Sequence, residues 1–390
     1  MNTEKIRKDF PVLNQKKRVI YFDNACMSLR PVQVISKINE YYNEYPACGG
    51  RSYHKLGKKV TEEVNLARKE IKKFFNSKSE KEIIFTKNTT ESINLIANSF
   101  EGKILTTDKE HNSNLVPWLS KKFKHEYVLS KKDNTFDIED FKKKIKGTKL
   151  VSMVYTSNLD GTTIPAKEII KIAHENKALV LLDAAQAAPH HEIDAKKLDV
   201  DFFACSGHKM LGPSGIGMLY GKEHLLRELK PFIVGGDTVK NTTYNSVEFE
   251  DIPDKFEAGL QHYSGIIGFA EACRYLKKTG LNNINKHEIE LNKFMTNELL
   301  NHVELIGPED AEQRSGIFNF NIKGIDPHHI AVALNASSNI MIRSGQHCVH
   351  SWFNAHKING SARASVYLYN IKEEAELFIN EIKKFVKHLR

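Results

Sequence analysis

Two short apolar runs, and the stretch between them, constrain this chain more than any other feature. Ala178-Leu179-Val180-Leu181-Leu182 stops at Asp183, and Phe202-Phe203-Ala204-Cys205 stops at Ser206-Gly207-His208-Lys209. Runs of this length bounded by polar residues read as buried strands. The linker between them is long enough to cross over a sheet, so the strands are expected side by side and parallel. In such sheets the carboxyl ends of the strands form the ligand crevice. An acid, a serine, a histidine and a lysine therefore arrive at one place.

The flanking sequence repeats the alternation. Residues 82–86, 103–107 and 150–155 read as strands, and residues 60–75, 92–99 and 168–176 as helices. Residues 21–25 read as a short strand running into a turn, and a helix begins at Pro31. Residues 215–220 add a strand whose short connection predicts an antiparallel neighbour. The expected fold class is α/β with a mostly parallel sheet. After a long helix over residues 264–277 the pattern changes to α+β. A helix there carries Leu291, Phe294, Met295 and Leu299 on one face, and Phe318, Phe320 and Ile322 alternate with Asn319 and Asn321. Residues 339–342 and 364–369 read as strands, and the last helix shows Ala375, Phe378, Ile382, Phe385 and Leu389. The expected division is a large domain over residues 16–260, with residues 1–15 and 261–390 forming a smaller one.

Composition excludes several function classes. No apolar run among the 390 residues reaches the roughly 20 that a membrane helix needs. The first residues lack the apolar core of a signal peptide, so no membrane and a cytoplasmic location are the expectation. The net charge is +9, but the lysines are scattered along helical stretches rather than blocked together with aromatics. That reads as a solvated surface and not as a nucleic-acid footprint. Cys26, Cys48, Cys205, Cys273 and Cys348 are odd in number, widely spaced and without a CxxC pair. Neither a disulfide framework nor a structural zinc site is expected, and His347, Cys348 and His350 lack a further ligand at zinc spacing.

The residues at the strand ends suit pyridoxal phosphate. Lys209 supplies an amine for the aldehyde, and Asp183 a carboxylate that keeps the pyridine nitrogen protonated. Ser206 and His208 offer phosphate donors, with Thr89 and Thr90 opposite them at a helix start. The same threonines, with Glu91, are also a helix-capping signal. His111 provides an imidazole face to stack on the ring, and Gln186 a donor for the ring oxygen. Taken singly each has a plainer reading, a surface lysine or a loop histidine; the set together carries the assignment.

SGHKM, with DAAQAAPH upstream, resembles the fold-type I pyridoxal phosphate enzymes of the class V aminotransferase family. Within it the chain is similar to the cysteine desulfurases, in the group II branch of SUF-type and selenocysteine lyase-like members. YFDNA, RSYHKLG, TKNTTESINLIA, EHNSNLVPW, SNLDGT, FEAG, RSGQHC and RASVYLYN extend the likeness through nearly the whole chain. The resemblance implies a seven-stranded, mostly parallel sheet flanked by helices in the large domain, a small α+β domain carrying the cysteine loop, and a homodimer. It makes Lys209 the Schiff-base lysine, Asp183 the partner of the pyridine nitrogen, and His111 the stacking residue and acid/base. It gives Thr89, Thr90, Ser206 and His208 to the phosphate, Asn158 and Gln186 to ring and substrate, and Arg343 and Arg363 to the substrate carboxylate. Cys348 becomes the nucleophile that takes sulfur from L-cysteine as a persulfide, leaving L-alanine, and passes it to an acceptor protein for iron–sulfur cluster or related biosynthesis.

Cys348 separates this reading from other class V enzymes, which need no thiol nucleophile. Its sequence neighbours Arg343, His347 and His350 form a setting suited to a reactive thiol rather than a buried one. The competing readings are a selenocysteine lyase, another class V enzyme, and a non-catalytic protein using the basic surface. One departure stands out: after FEAG many relatives continue Thr-Pro-Asn, whereas this chain has Leu260-Gln261-His262. The resemblance places a phosphate contact across a dimer at that threonine; here either the Leu260-Gln261-His262 segment or Gly235-Gly236 is the candidate for that approach.

Overall fold

The protein is described by a computed structural model covering residues 1–388. Leu389 of the last apolar stripe lies outside the described residues. The two opening runs form the strands Leu179–Asp183 and Phe202–Ser206, paired parallel with Asp183 opposite Ala204. They sit at the centre of a seven-stranded sheet. From one edge its order is Ile83–Thr86, Gly217–Gly221, Phe202–Ser206, Leu179–Asp183, Leu150–Val154, Ile104–Thr107 and His125–Val128. Gly217–Gly221 runs antiparallel to both its neighbours, as its short connection predicts; the other four pairings are parallel.

Alternation along each strand divides the side chains between two cores. Val180, Leu182, Phe203 and Cys205 enter one core with the helices Lys55–Phe74, Ala166–Glu175 and Tyr263–Thr279. Leu181, Phe202 and Ala204 enter the other, beneath the helices Thr89–Ser99 and Asn112–Ser120. A sheet covered on both faces explains why these strands read as continuous apolar runs. His125–Val128 lies at the edge and is mostly half-buried, so it carries no such run and no apolar pattern marks it.

A third core lies under an antiparallel sheet ordered Glu304–Ile306, Ile317–Asn321, Ser361–Ser365 and Arg343–Gly345. Phe318, Phe320, Leu291, Met295, Phe378 and Ile382 fill it, with Ile20 and Phe22 from the other end of the chain. The predicted strand over residues 364–369 stops earlier, because the ladder ends at Ser365. Val366 then packs into the third core and Tyr367 and Tyr369 into the first. The apolar character of that segment comes from linking two cores, not from a ladder. The short strand predicted over residues 21–25 is Ile20–Tyr21, parallel to Ile340–Met341, followed by a bridge from Asp23 to Ser365.

Candidate active site

The carboxyl ends of Phe202–Ser206 and Leu179–Asp183 open onto a cavity of about 230 Å³. Lys209, Asp183, Ser206, His208, Thr89 and Thr90 line it. So do His111, Asn158, Gln186, Arg343, Arg363 and Cys348. Every site residue singled out from the sequence thus reaches one place.

Lys209 ends a single helical turn, Gly207–Lys209, closed by bonds from the Met210 and Gly212 N–H groups to the Gly207 carbonyl, each 2.8 Å. The buried Asp183 carboxylate accepts from the Ala185 N–H at 3.0 Å. Burial pushes the Asp183 carboxyl up and the Lys209 amine down, while their mutual attraction opposes both shifts.

Thr89 begins its helix earlier than the apolar spacing suggests, because Asn88 caps it, accepting from the Glu91 N–H at 3.0 Å. The Thr89 N–H donates to Ser206 Oγ at 2.9 Å, and the two hydroxyls lie 2.8 Å apart. Thr90 Oγ1 meets Ser113 Oγ at 2.7 Å. Hydroxyls from two helix starts and one strand end therefore converge. Gly217 permits this: a Cβ there would stand 2.8 Å from the Asn88 Cα and 2.6 Å from the Cys205 carbonyl oxygen.

His111 caps the helix Asn112–Ser120, its Nδ1 accepting from the Ser113 N–H at 3.1 Å. Burial, with Lys209, Arg363 and Arg343 nearby, lowers its pKa to about 3, so the ring is neutral. Beneath it Glu110 accepts from the Thr107 N–H and hydroxyl, the Val154 N–H and the Asn114 amide at 2.7–3.1 Å. These bonds tie the His111 turn to two strands.

The cysteine loop is sewn onto this frame. The Asn112 N–H donates to the Cys348 carbonyl at 2.7 Å, and the Asn158 amide to the His347 carbonyl at 2.8 Å. His347 and Cys348 both take positive φ, 49° and 59°, which ordinary residues adopt only when surrounding bonds hold them. Arg363 is 2% exposed and donates to the Asn158 carbonyl at 2.6 Å. Arg343 stands opposite Arg363 in the ladder. The Arg363 Nε and the Asn158 Oδ1 are buried without a partner, which is what a site awaiting a ligand looks like. A cationic wall, a buried acid, a lysine and a cluster of hydroxyls make a site for a small anionic, phosphate-bearing molecule.

Residues 20–378 match the family model described as aminotransferase class-V. The chain belongs to the class V aminotransferase family. It is 39% identical over 401 residues to a probable cysteine desulfurase of Halalkalibacterium halodurans, covering 98% of each chain. To a probable cysteine desulfurase of Pyrococcus abyssi it is 39% identical over 400 residues, covering 99% of this chain and 98% of the other. Among solved structures it is similar to a cysteine desulfurase from Thermococcus onnurineus NA1, with TM-score 0.94, 38% identity and coverage of 99% and 98%. It is also similar to the cysteine desulfurase CsdA from Escherichia coli, with TM-score 0.91, 27% identity and coverage of 100% and 99%.

The cavity also holds five residues that have no cofactor or substrate role in the sequence analysis: Cys26, Asn88, Ser113, Thr156 and His347. Asn88 precedes Thr89 and Ser113 lies two residues past His111, both at helix starts, which favour anions. Nothing local marks Cys26, which reaches the cavity through the turn after Ile20–Tyr21. Buried ion pairs hold the family frame. Lys109 meets Asp160 at 2.8 Å behind the Asn158 loop, and Arg68 meets Glu257 of FEAG at 2.8 Å through both guanidinium ends. Gln186 donates to the Ala25 carbonyl, and the second hydrogen of its amide is left for the cavity. Among the described residues no helix is long and apolar enough to cross a membrane, and no group of three or more His, Cys, Asp or Glu is placed to hold a metal.

Proposed function

We propose that this member of the class V aminotransferase family is a pyridoxal phosphate-dependent cysteine desulfurase that takes sulfur from L-cysteine as a persulfide on Cys348 and releases L-alanine. The observation that carries the proposal is the placing of Cys348 in one cavity with Lys209 and the arginine pair.

The donor set fits pyridoxal phosphate. Thr89, Thr90, Ser206 and His208 would hold the phosphate, Asp183 the ring nitrogen, His111 the ring face, Gln186 the ring oxygen and Lys209 the aldehyde. When bound, the cofactor supplies an electron sink for charge developing at the substrate Cα. Arg343 and Arg363 bind the substrate carboxylate by charge-assisted bonds and so orient the Cα–H. Lys209, its basicity reduced by burial, removes and returns the Cα proton. Neutral His111 keeps an uncharged face to the ring and can relay a proton at Nε2. The Cys348 Sγ attacks the substrate sulfur; an S–S bond forms as the substrate Cβ–S bond breaks. Cys348–SH and L-cysteine become Cys348–S–SH and L-alanine, with no outside oxidant.

Exposed apolar side chains support a homodimer. Tyr53, Val234, Tyr244 and Leu260 are exposed by 83, 59, 107 and 72%. Leu260 adjoins Gly259, whose N–H bonds the Gly236 carbonyl at 2.8 Å, so the glycine loop and the segment after FEAG form one surface. Half-buried Cys348 favours delivery of sulfur to a docked acceptor protein over release into water. A cytoplasmic location goes with this reading and with five free cysteines.

The test is incubation of the cofactor-loaded protein with L-cysteine, measuring alanine and the mass of the Cys348 peptide. Alanine release with one added sulfur on that peptide is expected. Sulfur transfer to acceptors at full rate by Cys348→Ala would remove Cys348 from the assigned role.

A further inference from the structure

Of the four cysteines outside the proposed reaction, Cys205 and Cys273 are buried in the first core, and exposed Cys48 lies beside Tyr263, outside the lining of this cavity. Cys26 differs. It is half-buried and lines the same cavity as Cys348. The Arg343 Nη1–H donates to its Sγ at 2.8 Å. Arg343, which with Arg363 is proposed to bind the substrate carboxylate, lies five positions before Cys348 on the same segment.

The turn that carries Cys26 is fixed on every side. The Cys26 N–H bonds the Asp23 carbonyl at 3.2 Å, the Ala25 N–H bonds Ser365 Oγ at 2.9 Å, and the Asn24 amide bonds the Ser365 carbonyl at 2.6 Å. Both thiols also interact electrostatically with Lys209 and with Arg363. Arg363 is buried, lines this cavity, and has an Nε without a partner. Two thiols thus border one cationic space with unsatisfied donors, and Arg343 touches one of them.

We infer that Cys26 is a second sulfur-carrying residue, receiving the sulfane sulfur from the Cys348 persulfide inside the cavity. The inference rests on the desulfurase reading above. The Cys26 sulfur attacks the outer sulfur of Cys348–S–SH. A new S–S bond forms at Cys26, the Cys348 S–S bond breaks, and the Cys26 proton ends on the departing Cys348 sulfur. Cys26–SH and Cys348–S–SH become Cys26–S–SH and Cys348–SH, and no atom is oxidised or reduced overall. Negative charge passing between the sulfurs has Arg343 as its cationic neighbour. The exchange follows the ordinary course of thiolate attack on a sulfur–sulfur bond. It frees Cys348 for a second L-cysteine while the first sulfur is still held.

The experiment uses holoenzyme mixed with L-cysteine, quenched at successive times with an alkylating agent in denaturant, and peptide mass spectrometry. The expected result is one added sulfur on the Cys348 peptide first and on the Cys26 peptide later, with none on either in Cys348→Ala. In Cys26→Ala, bound sulfur per chain is expected to fall to half the wild-type plateau. Persulfide on Cys348 with an unmodified Cys26 peptide overturns the inference and leaves the desulfurase reading intact. A Cys26–Cys348 disulfide with hydrosulfide release overturns it too, as does sulfur on Cys26 in Cys348→Ala. Absence of both alanine and persulfide defeats the desulfurase reading and this inference together.

Discussion

Arg343 and Arg363 face each other directly across the antiparallel ladder. Like charges in that relation repel, and burial of Arg363 sharpens the conflict. Burial, reinforced by Arg343 and opposed by Asp23, pulls the Arg363 guanidinium below its ordinary range. The nearest carboxylate, Asp23, stands 3.7 Å away. A substrate carboxylate between the two guanidinium groups relieves this repulsion. In Arg343→Ala, KM for L-cysteine should therefore rise about 10- to 100-fold, the size of a lost charged hydrogen bond, while the melting temperature of the substrate-free protein holds or rises. Kinetics and thermal melts check both; a lower melting temperature with unchanged KM defeats the assignment.

Lys209 is the only group assigned to the Cα proton. Its replacement by alanine should lower kcat for alanine release by about 10²- to 10⁴-fold, the usual span for a lost acid–base group. The protein should stay folded, since among the described residues the Lys209 amine makes no hydrogen bond that supports the frame. Circular dichroism beside the rate assay separates the two effects, and a surviving rate within a few-fold of wild type would contradict the role.

The Arg68–Glu257 pair does structural work. Glu257 takes both ends of the guanidinium at 2.8 Å and the Phe85 N–H at 2.8 Å, all out of water. Removing one partner strands the other charge. Glu257→Ala should cost about 3–5 kcal/mol, read as a lowered denaturant midpoint. Retention of the wild-type midpoint would mean that Arg68 finds another partner.

His191 carries a measurable share of the acid sensitivity. Burial, with His190 nearby, lowers the pKa of His191 from 6.5 to about 4, and its Nε2 lies 3.2 Å from Ser315 Oγ in a separate cleft. Above the unfolded value both states are neutral. Below it the unfolded chain takes up the proton first, so stability is lost as pH falls from about 6.5 toward 4. Going from pH 7 to pH 5, His191→Gln should lose less stability than wild type, by about 2 kcal/mol. Unfolding curves at the two pH values give the comparison; identical losses would show that His191 titrates normally.

What was legible in the sequence followed from burial and strand ends. A strand covered on both faces must be apolar throughout, so Leu179–Asp183 and Phe202–Ser206 announce themselves, and the polar residues that stop them fall at the crevice. The arginines and Cys348 came through family likeness, because nothing local says that residue 343 pairs with residue 363. Cys26 was missed because its place depends on a turn pinned by Ser365 and Gln186. The helix Tyr263–Thr279 was legible as a helix, but periodicity alone does not say which core receives its apolar face. Asn88 took the capping role read into Thr89, Thr90 and Glu91, since its side chain reaches the Glu91 N–H.

The contact between Cys26 and Arg343 spans 317 residues, and the bond from Asn24 to Ser365 spans 341. A ribosome adds about 5–20 residues per second, so the N-terminal turn leaves the exit tunnel on the order of tens of seconds before its partners are made. Until then the turn has no ladder to lie against and Arg363 has no strand to join. No half-made chain can assemble the cationic wall beside Cys348. Sulfur chemistry at this cavity thus begins only after Ser365 has been made, and a thiol of the shorter nascent chain is not exposed to it.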